Sequence, residues 1–305
     1  MNAYLIGFET WLRNEDKGDK TVRTYLSVMT KFLVWYEGTE GKAFEPQDVT
    51  PVLLQDYRSH MQTVENAKPA TINKALATLK TFFSWAVDAG HVNANPTLKV
   101  KMKRVQQTHA PKWMNDAEMN RLLYAVEGQK NDFKRSRDVA IVRTMLDAGL
   151  RVEEVSQLRV EDVQGDMINV VNGKGGKYRS VPMTKELWKV FKAWLSHRMT
   201  SDKTVHQSSD FLFVSERSGQ MTTRAIAYVV DGYLERAGLL KRSQDGLKSD
   251  GFSSHSLRHT FCKRLVNAGW PIQNVARVAG HDSIQTTQRY VEPSEDELKT
   301  AMKLL

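Results

Sequence analysis

Residues 280–290 read Gly280-His281-Asp282-Ser283-Ile284-Gln285-Thr286-Thr287-Gln288-Arg289-Tyr290, with Tyr290 nine residues after His281. Upstream lies His255-Ser256-Leu257-Arg258-His259, and further back Gly149-Leu150-Arg151. Together these segments offer a phenol nucleophile, the guanidinium groups of Arg151 and Arg258 and several imidazoles, the groups that displacement at a phosphodiester requires. None is informative alone. An isolated tyrosine is a packing residue, and an isolated R-x-x-E, here Arg151 with Glu154, is a surface ion pair at helical spacing. Their order and context carry the reading.

The surrounding chain suits a polyanionic partner. Its formal charge is +9 and its pI about 9.4 over 305 residues, a length that predicts two domains. Cys262 is the single cysteine, so neither an intramolecular disulfide nor a cysteine-based zinc site is expected. The N-terminus has no basic n-region and meets Glu9 early, and no apolar run is long enough to span a bilayer. These features predict a cytoplasmic protein with no membrane partner.

The fold class expected from the pattern is mainly α with a small β-sheet. Leu5, Phe8 and Leu12, then Val22, Tyr25, Met29, Phe32 and Tyr36, follow helical spacing. Thr50-Pro51 predicts an N-cap opening a third helix, and Pro69 to Ala89 a fourth, with Gly90 at its end. Residues 1–95 are therefore read as a helical domain. Residues 96–112 hold Lys99, Lys101, Lys103, Arg104 and Lys112 with no acidic residue, and are read as a basic linker suited to a phosphate backbone. Residues 113–305 are read as a mixed α/β domain. It has helices near 116–126, 138–148, 185–198, 224–237 and 257–268, and strands 167–171 and 178–182 joined by a glycine-rich hairpin turn. A capping box of Ser294 and Glu297 opens a final helix, 295–305.

Lys174 sits at the hairpin tip, where glycines allow close approach to a backbone and an ammonium could protonate a leaving oxygen. Lys177 and Arg179 stand beside it as further phosphate contacts. The spacing of a Walker loop is absent. His255 and Arg258 lie one helical turn apart behind Ser253 and Ser254, which could cap a helix there. His255 and His259 form an i,i+4 pair, but the interposed Glu of H-E-x-x-H is missing, so no metal site is expected. His259 is read as a buried supporting residue.

Gly149-Leu150-Arg151 with Glu154, Gly173-Lys174-Gly175, His255-x-x-Arg258-His259, Gly280-His281 and Tyr290 resemble the tyrosine recombinase (phage integrase) family over essentially the whole chain. The resemblance implies a SAM-like core-binding domain followed by a tyrosine recombinase catalytic domain. It implies that Tyr290 attacks the scissile phosphate, giving a 3′-phosphotyrosyl bond and a free 5′-hydroxyl. Arg151 and Arg258 would stabilise the non-bridging oxygens, with Glu154 holding Arg151. Lys174 would protonate the leaving oxygen, His255 would handle the tyrosine proton, and His281 would hydrogen-bond the phosphate. Because the covalent bond conserves the phosphodiester's energy, the resemblance implies no ATP, metal or other cofactor.

The layout is similar to Xer proteins and transposon resolvases. It implies double-stranded DNA with a specific core site of inverted-repeat elements as partner. It also implies a homotetramer, or a heterotetramer with a related recombinase, with helix 295–305 docking on a neighbouring subunit, and accessory proteins. Integration, excision and resolution all fit. The segment 241–252 departs from the family as a longer polar lead into His255 and is expected to be a mobile loop. A catalytically silent DNA-binding regulator and a type IB topoisomerase-like enzyme are the alternatives; the full set of site residues disfavours the first, and the chain's size and helical N-terminal domain the second.

Overall fold

The structure, a computed structural model, describes residues 2–103, 111–171, 178–243, 245–281, 283–291 and 302. Arg104, Lys174, Lys177 and, apart from Met302, the expected helix 295–305 lie outside the described residues. The chain divides into two compact units, Met1–Gln107 and Thr108–Leu305.

The first unit packs four helices, α1 (Ala3–Asn14), α2 (Asp19–Glu40), α3 (Pro51–Thr63) and α4 (Pro69–Asp88). Their apolar stripes meet in an aromatic core that includes Phe8, Phe32, Tyr36, Phe44, Phe82 and Phe83. Thr50 caps α3 by accepting from the Leu53 amide at 3.2 Å, and Gly90 takes a left-handed φ of +72° just beyond α4. Part of the expected linker is fastened to this unit. The Lys101 and Lys103 carbonyls accept from Arg58 and Asn73 at 2.9 and 2.8 Å, and the Lys103 amide donates to Asn73 at 2.8 Å.

The second unit contains α5 (Asp116–Glu127), α6 (Asp132–Asp147), α7 (Val152–Gln157), α8 (Lys185–Met199), α9 (Thr204–Ser208), α10 (Thr223–Arg236), α11 (Ser254–Asn267), α12 (Ile272–Ala279) and α13 (Ile284–Gln288). A three-stranded antiparallel sheet, β1 (Val163–Gln164), β2 (Met167–Val171) and β3 (Tyr178–Pro182), lies between α7 and α8 in sequence. Its register pairs Ile168 with Val181 and Val170 with Arg179, so Arg179 shares the buried face. Helix α6 starts six residues before the expected 138, because Asn131 caps it through the Lys134 amide.

The segment 241–252 corrects an expectation. Where a mobile loop was expected, β4 (Leu240–Arg242) and β5 (Lys248–Gly251) form an antiparallel hairpin. Ion pairs Lys248–Asp231 and Lys112–Asp250, at 2.7 and 2.6 Å, fasten it to α10 and to the start of the unit. Among the described residues no helix is long and apolar enough to cross a membrane.

Candidate active site

Helix α6 ends at Asp147, and the chain reverses through Gly149 at φ +65°, where a Cβ would overlap the Phe261 ring. That tight turn sets Arg151 at the N-terminus of α7. Its amide donates to Glu154 Oε2 at 2.7 Å, its Nη1 to Oε1 at 2.9 Å, and its Nη2 to the Gly280 carbonyl at 2.9 Å. Glu154 is thus a nearly buried carboxylate, its side chain 4% exposed. Burial alone would raise its pKa, but the Arg179 hydrogen bonds, with Arg151 and Arg258, hold it below the usual carboxylate range.

Arg179 differs from the sequence expectation. Instead of facing outward from the hairpin, it donates Nη1 and Nη2 to Glu154, each at 2.9 Å, and Nε to the Val278 carbonyl at 2.9 Å. Its side chain is 10% exposed, so its donors serve the interior rather than an external phosphate.

Arg258 rises from α11 into the same centre. Its Nη1 donates to the Gly149 carbonyl at 2.7 Å and its Nη2 to the Ala279 carbonyl. Burial and the neighbouring Arg151 pull its pKa down to about 10, which leaves it charged at neutral pH. Three guanidinium groups therefore surround one carboxylate, and the local excess of positive charge is suited to an incoming anion. Arg151, with 30% of its side chain exposed, is the one most open to it.

Helix α12 ends at Gly280 with φ +66°, so the chain turns sharply and delivers His281 beside the arginines. His281 Nδ1 pairs with Thr287 Oγ1 at 2.8 Å, and burial followed by the charges of Arg258 and Arg151 lowers its pKa to about 3. Its ring stacks on Tyr290 with centroids 6.2 Å apart.

Tyr290 is 1% exposed, and its hydroxyl bonds His259 Nδ1 at 2.6 Å. Burial, then the adjacent Cys262, keeps the phenol protonated well above its ordinary range. The residue on the phenol is thus His259 and not His255, which lies open at the surface with its ring 6.0 Å from that of His259. Partial loss of solvent around both rings, then neighbouring positive charge, holds both imidazoles below their ordinary pKa, His259 at about 4. The helical stripe 255–259–263 was the available signal for His259 and for Lys263, whose Nζ lies 3.3 Å from the Tyr290 carbonyl.

The structure brings Arg151, Glu154, Arg258, His259, His281 and Tyr290 together, with His255 at the rim. Lys99, Lys101 and Lys103 lie in the first unit, the first two exposed. Among the described residues no group of three or more His, Cys, Asp or Glu is placed to hold a metal ion.

Known proteins match the chain over nearly its whole length. The profile of the phage integrase family matches residues 112–297, and that of the phage integrase N-terminal SAM-like domain matches residues 5–90. The TnP I resolvase of Bacillus thuringiensis is 27% identical over 98% of both chains. The tyrosine recombinase XerD of Ralstonia nicotianae is 30% identical over 92% of this chain and 86% of its own. Among solved structures, XerA recombinase aligns with TM-score 0.53 and 26% identity over 99% of this chain and 97% of its own. A lambda integrase fragment bound to a core site shares the fold, with TM-score 0.73 and 14% identity over 96% and 95% of the two chains.

Proposed function

Because the chain belongs to the phage integrase family, we propose that it cleaves and rejoins double-stranded DNA at a specific site through a covalent bond to Tyr290. The observation that carries this reading is the convergence of Arg151, Arg258 and His281 on the Gly280 turn, with Tyr290 stacked on His281.

The chemistry follows from the groups. The Tyr290 oxygen attacks phosphorus, the phosphotyrosyl bond forms as the bond to the 5′-oxygen breaks, and the phenolic proton leaves to a base. Arg151 and Arg258 are fixed by backbone carbonyls and Glu154, so they meet the charge of the pentavalent phosphorus with little reorganisation. His281, neutral and with Nδ1 bonded to Thr287, has Nε2 left for a phosphate oxygen. His255 lies at the rim where an entering phosphate and a displaced phenol would meet, and it accepts the proton. Lys174 protonates the leaving oxygen. Arg179 acts inside the protein by holding Glu154 and the end of α12. Strand exchange takes place in a tetramer that joins two sites.

The test is a nicked duplex carrying the chain's own site, defined by footprinting on DNA from its native locus. Incubated in EDTA, the protein should form a covalent adduct, and Tyr290→Phe should bind without forming one. Binding without any adduct from the wild-type chain would refute the enzymatic reading. Relaxation of supercoiled DNA without recombinant joints would point to a topoisomerase.

A further inference from the structure

Lys263 is a buried lysine that the chemistry above does not use. A buried ammonium is costly unless it is compensated. Its Nζ lies 3.3 Å from the Tyr290 carbonyl oxygen, as donor, and 4.8 Å from the centroid of the Trp113 ring. Trp113 is itself fixed, because the next residue, Met114, donates its amide to Thr260 Oγ1 on α11 at 2.9 Å.

Among the described residues, the segment that carries the nucleophile is mostly exposed. In α13 and the residues that follow it to 291, Thr287 and Tyr290 are buried while Ile284–Thr286, Gln288, Arg289 and Val291 are exposed. The Tyr290 side chain is held by His259 and the His281 ring, but these contacts belong to a phenol withdrawn from solvent. A phosphate arriving on a duplex meets the phenol only after the side chain turns out or the site opens, and the bond to His259 then competes with attack. Among the described residues, two side-chain contacts do not depend on where the phenol points: Thr287 on His281, and Lys263 on the Tyr290 carbonyl.

We propose that Lys263 is a positioning residue for strand cleavage: held over Trp113, it pins the Tyr290 backbone so that the phenol swings about a fixed Cα toward the phosphate. This rests on Tyr290 being the nucleophile. A pinned backbone preserves the in-line geometry of attack, and a displacement of about 1 Å at a reacting group costs on the order of a hundredfold in rate.

The test uses the full-length protein at saturating concentration on the nicked footprinted duplex, and measures adduct formation rate, DNA affinity and Tm together. Lys263→Met replaces the ammonium with an apolar side chain of similar length and removes its donor to the Tyr290 carbonyl, so Tm is read beside the rate to separate positioning from folding. We expect it to lower the adduct rate by roughly ten- to a hundredfold while DNA affinity and Tm hold. Lys263→Arg should restore most of the rate. Trp113→Leu should slow adduct formation in the same direction, and Trp113→Phe less so.

An adduct rate at or above the wild-type value for Lys263→Met overturns the proposal. So does a loss that runs parallel to falls in Tm and DNA affinity, since that marks a merely structural lysine. The nucleophile assignment fails separately, if Tyr290→Phe still forms adduct. Tyr290→Phe inactive with Lys263→Met at full rate rejects only the role of Lys263.

Discussion

Glu154→Gln keeps the shape of the side chain and removes the one negative charge among Arg151, Arg179 and Arg258. Each oxygen of Glu154 accepts two hydrogen bonds: Oε1 from Arg151 Nη1 and Arg179 Nη1, Oε2 from the Arg151 amide and Arg179 Nη2. Whichever way the glutamine amide is turned, its NH2 group faces two donors. Two hydrogen bonds from charged or polar donors are lost, each worth about 1.5–3 kcal/mol when the acceptor is ionised. The side chain is 4% exposed, so solvent screening does not dilute the effect. Breaking a buried pair on one side costs about 3–5 kcal/mol, in agreement with that sum. For a domain of this size, that lowers Tm by roughly 6–20 °C.

Calorimetry or urea unfolding of the full chain measures this in the second unit. Arg179→Met supplies the other half of a double-mutant cycle. Its cost in the wild-type background should exceed its cost in the Glu154→Gln background, because the carboxylate it would orphan is already gone. A loss below about 1 kcal/mol for Glu154→Gln, in the range of an exposed ion pair, would refute the view of this carboxylate as the keystone of the arginine cluster. So would strict additivity in the cycle.

Gly149→Ala meets both a left-handed backbone and the Phe261 ring, with the new Cβ 2.8 Å from Cγ and closer to Cδ1. Strain of about 1–2 kcal/mol plus overpacking of about 1–3 kcal/mol should exceed the cost of Gly41→Ala, where the same φ of +65° faces open space; equal losses by denaturation would contradict the close packing described. His259 and His281 are held neutral, at about 4 and about 3 against 6.5. Their pKa values are depressed in the folded state, so the stability they contribute is fully present above pH 6.5 and is lost as pH falls through 4 and then 3. Glu154 adds to that loss below pH 4.5. A Tm profile of His259→Phe should therefore be flatter between pH 6.5 and 4 than that of the wild type, and an unchanged slope would be evidence against the buried neutral imidazole. DNA affinity should fall steeply with salt, as phosphate-dominated binding requires; a flat dependence in a titration would argue for another mode of contact.

Much of the fold was legible where one periodicity dominates. The strands 167–171 and 178–182 were visible because their residues alternate or are β-branched, and α2 and α4 because their apolar residues recur at helical spacing. The start of α6 was hidden by its polar first turns: Arg137 is buried against Asp138, an ion pair in place of apolar residues. The β4–β5 hairpin was hidden for a related reason. Beyond Leu240, which is buried in the core, it is held by ion pairs of Arg242, Lys248 and Asp250, so its sequence reads as loop. Arg179 was misplaced by its neighbours at the hairpin, although Val181, two residues on, already marked the inward face.

The sequence by itself determined which groups are present and in what order: one phenol, the arginines and the histidines, each on an element whose local pattern is readable. It also determined the excess positive charge. Tertiary structure alone decided which of these groups touch. Arg151 meets the carbonyl of Gly280 across 129 residues, and Arg258 meets Gly149 across 109. The phenol falls to His259 although His255 is the more conspicuous histidine, and Lys263 reaches the backbone of Tyr290. Local propensity carries no information about such pairs, because burial and hydrogen bonding between distant segments select them only once the cores of α6, α11 and α12 have packed.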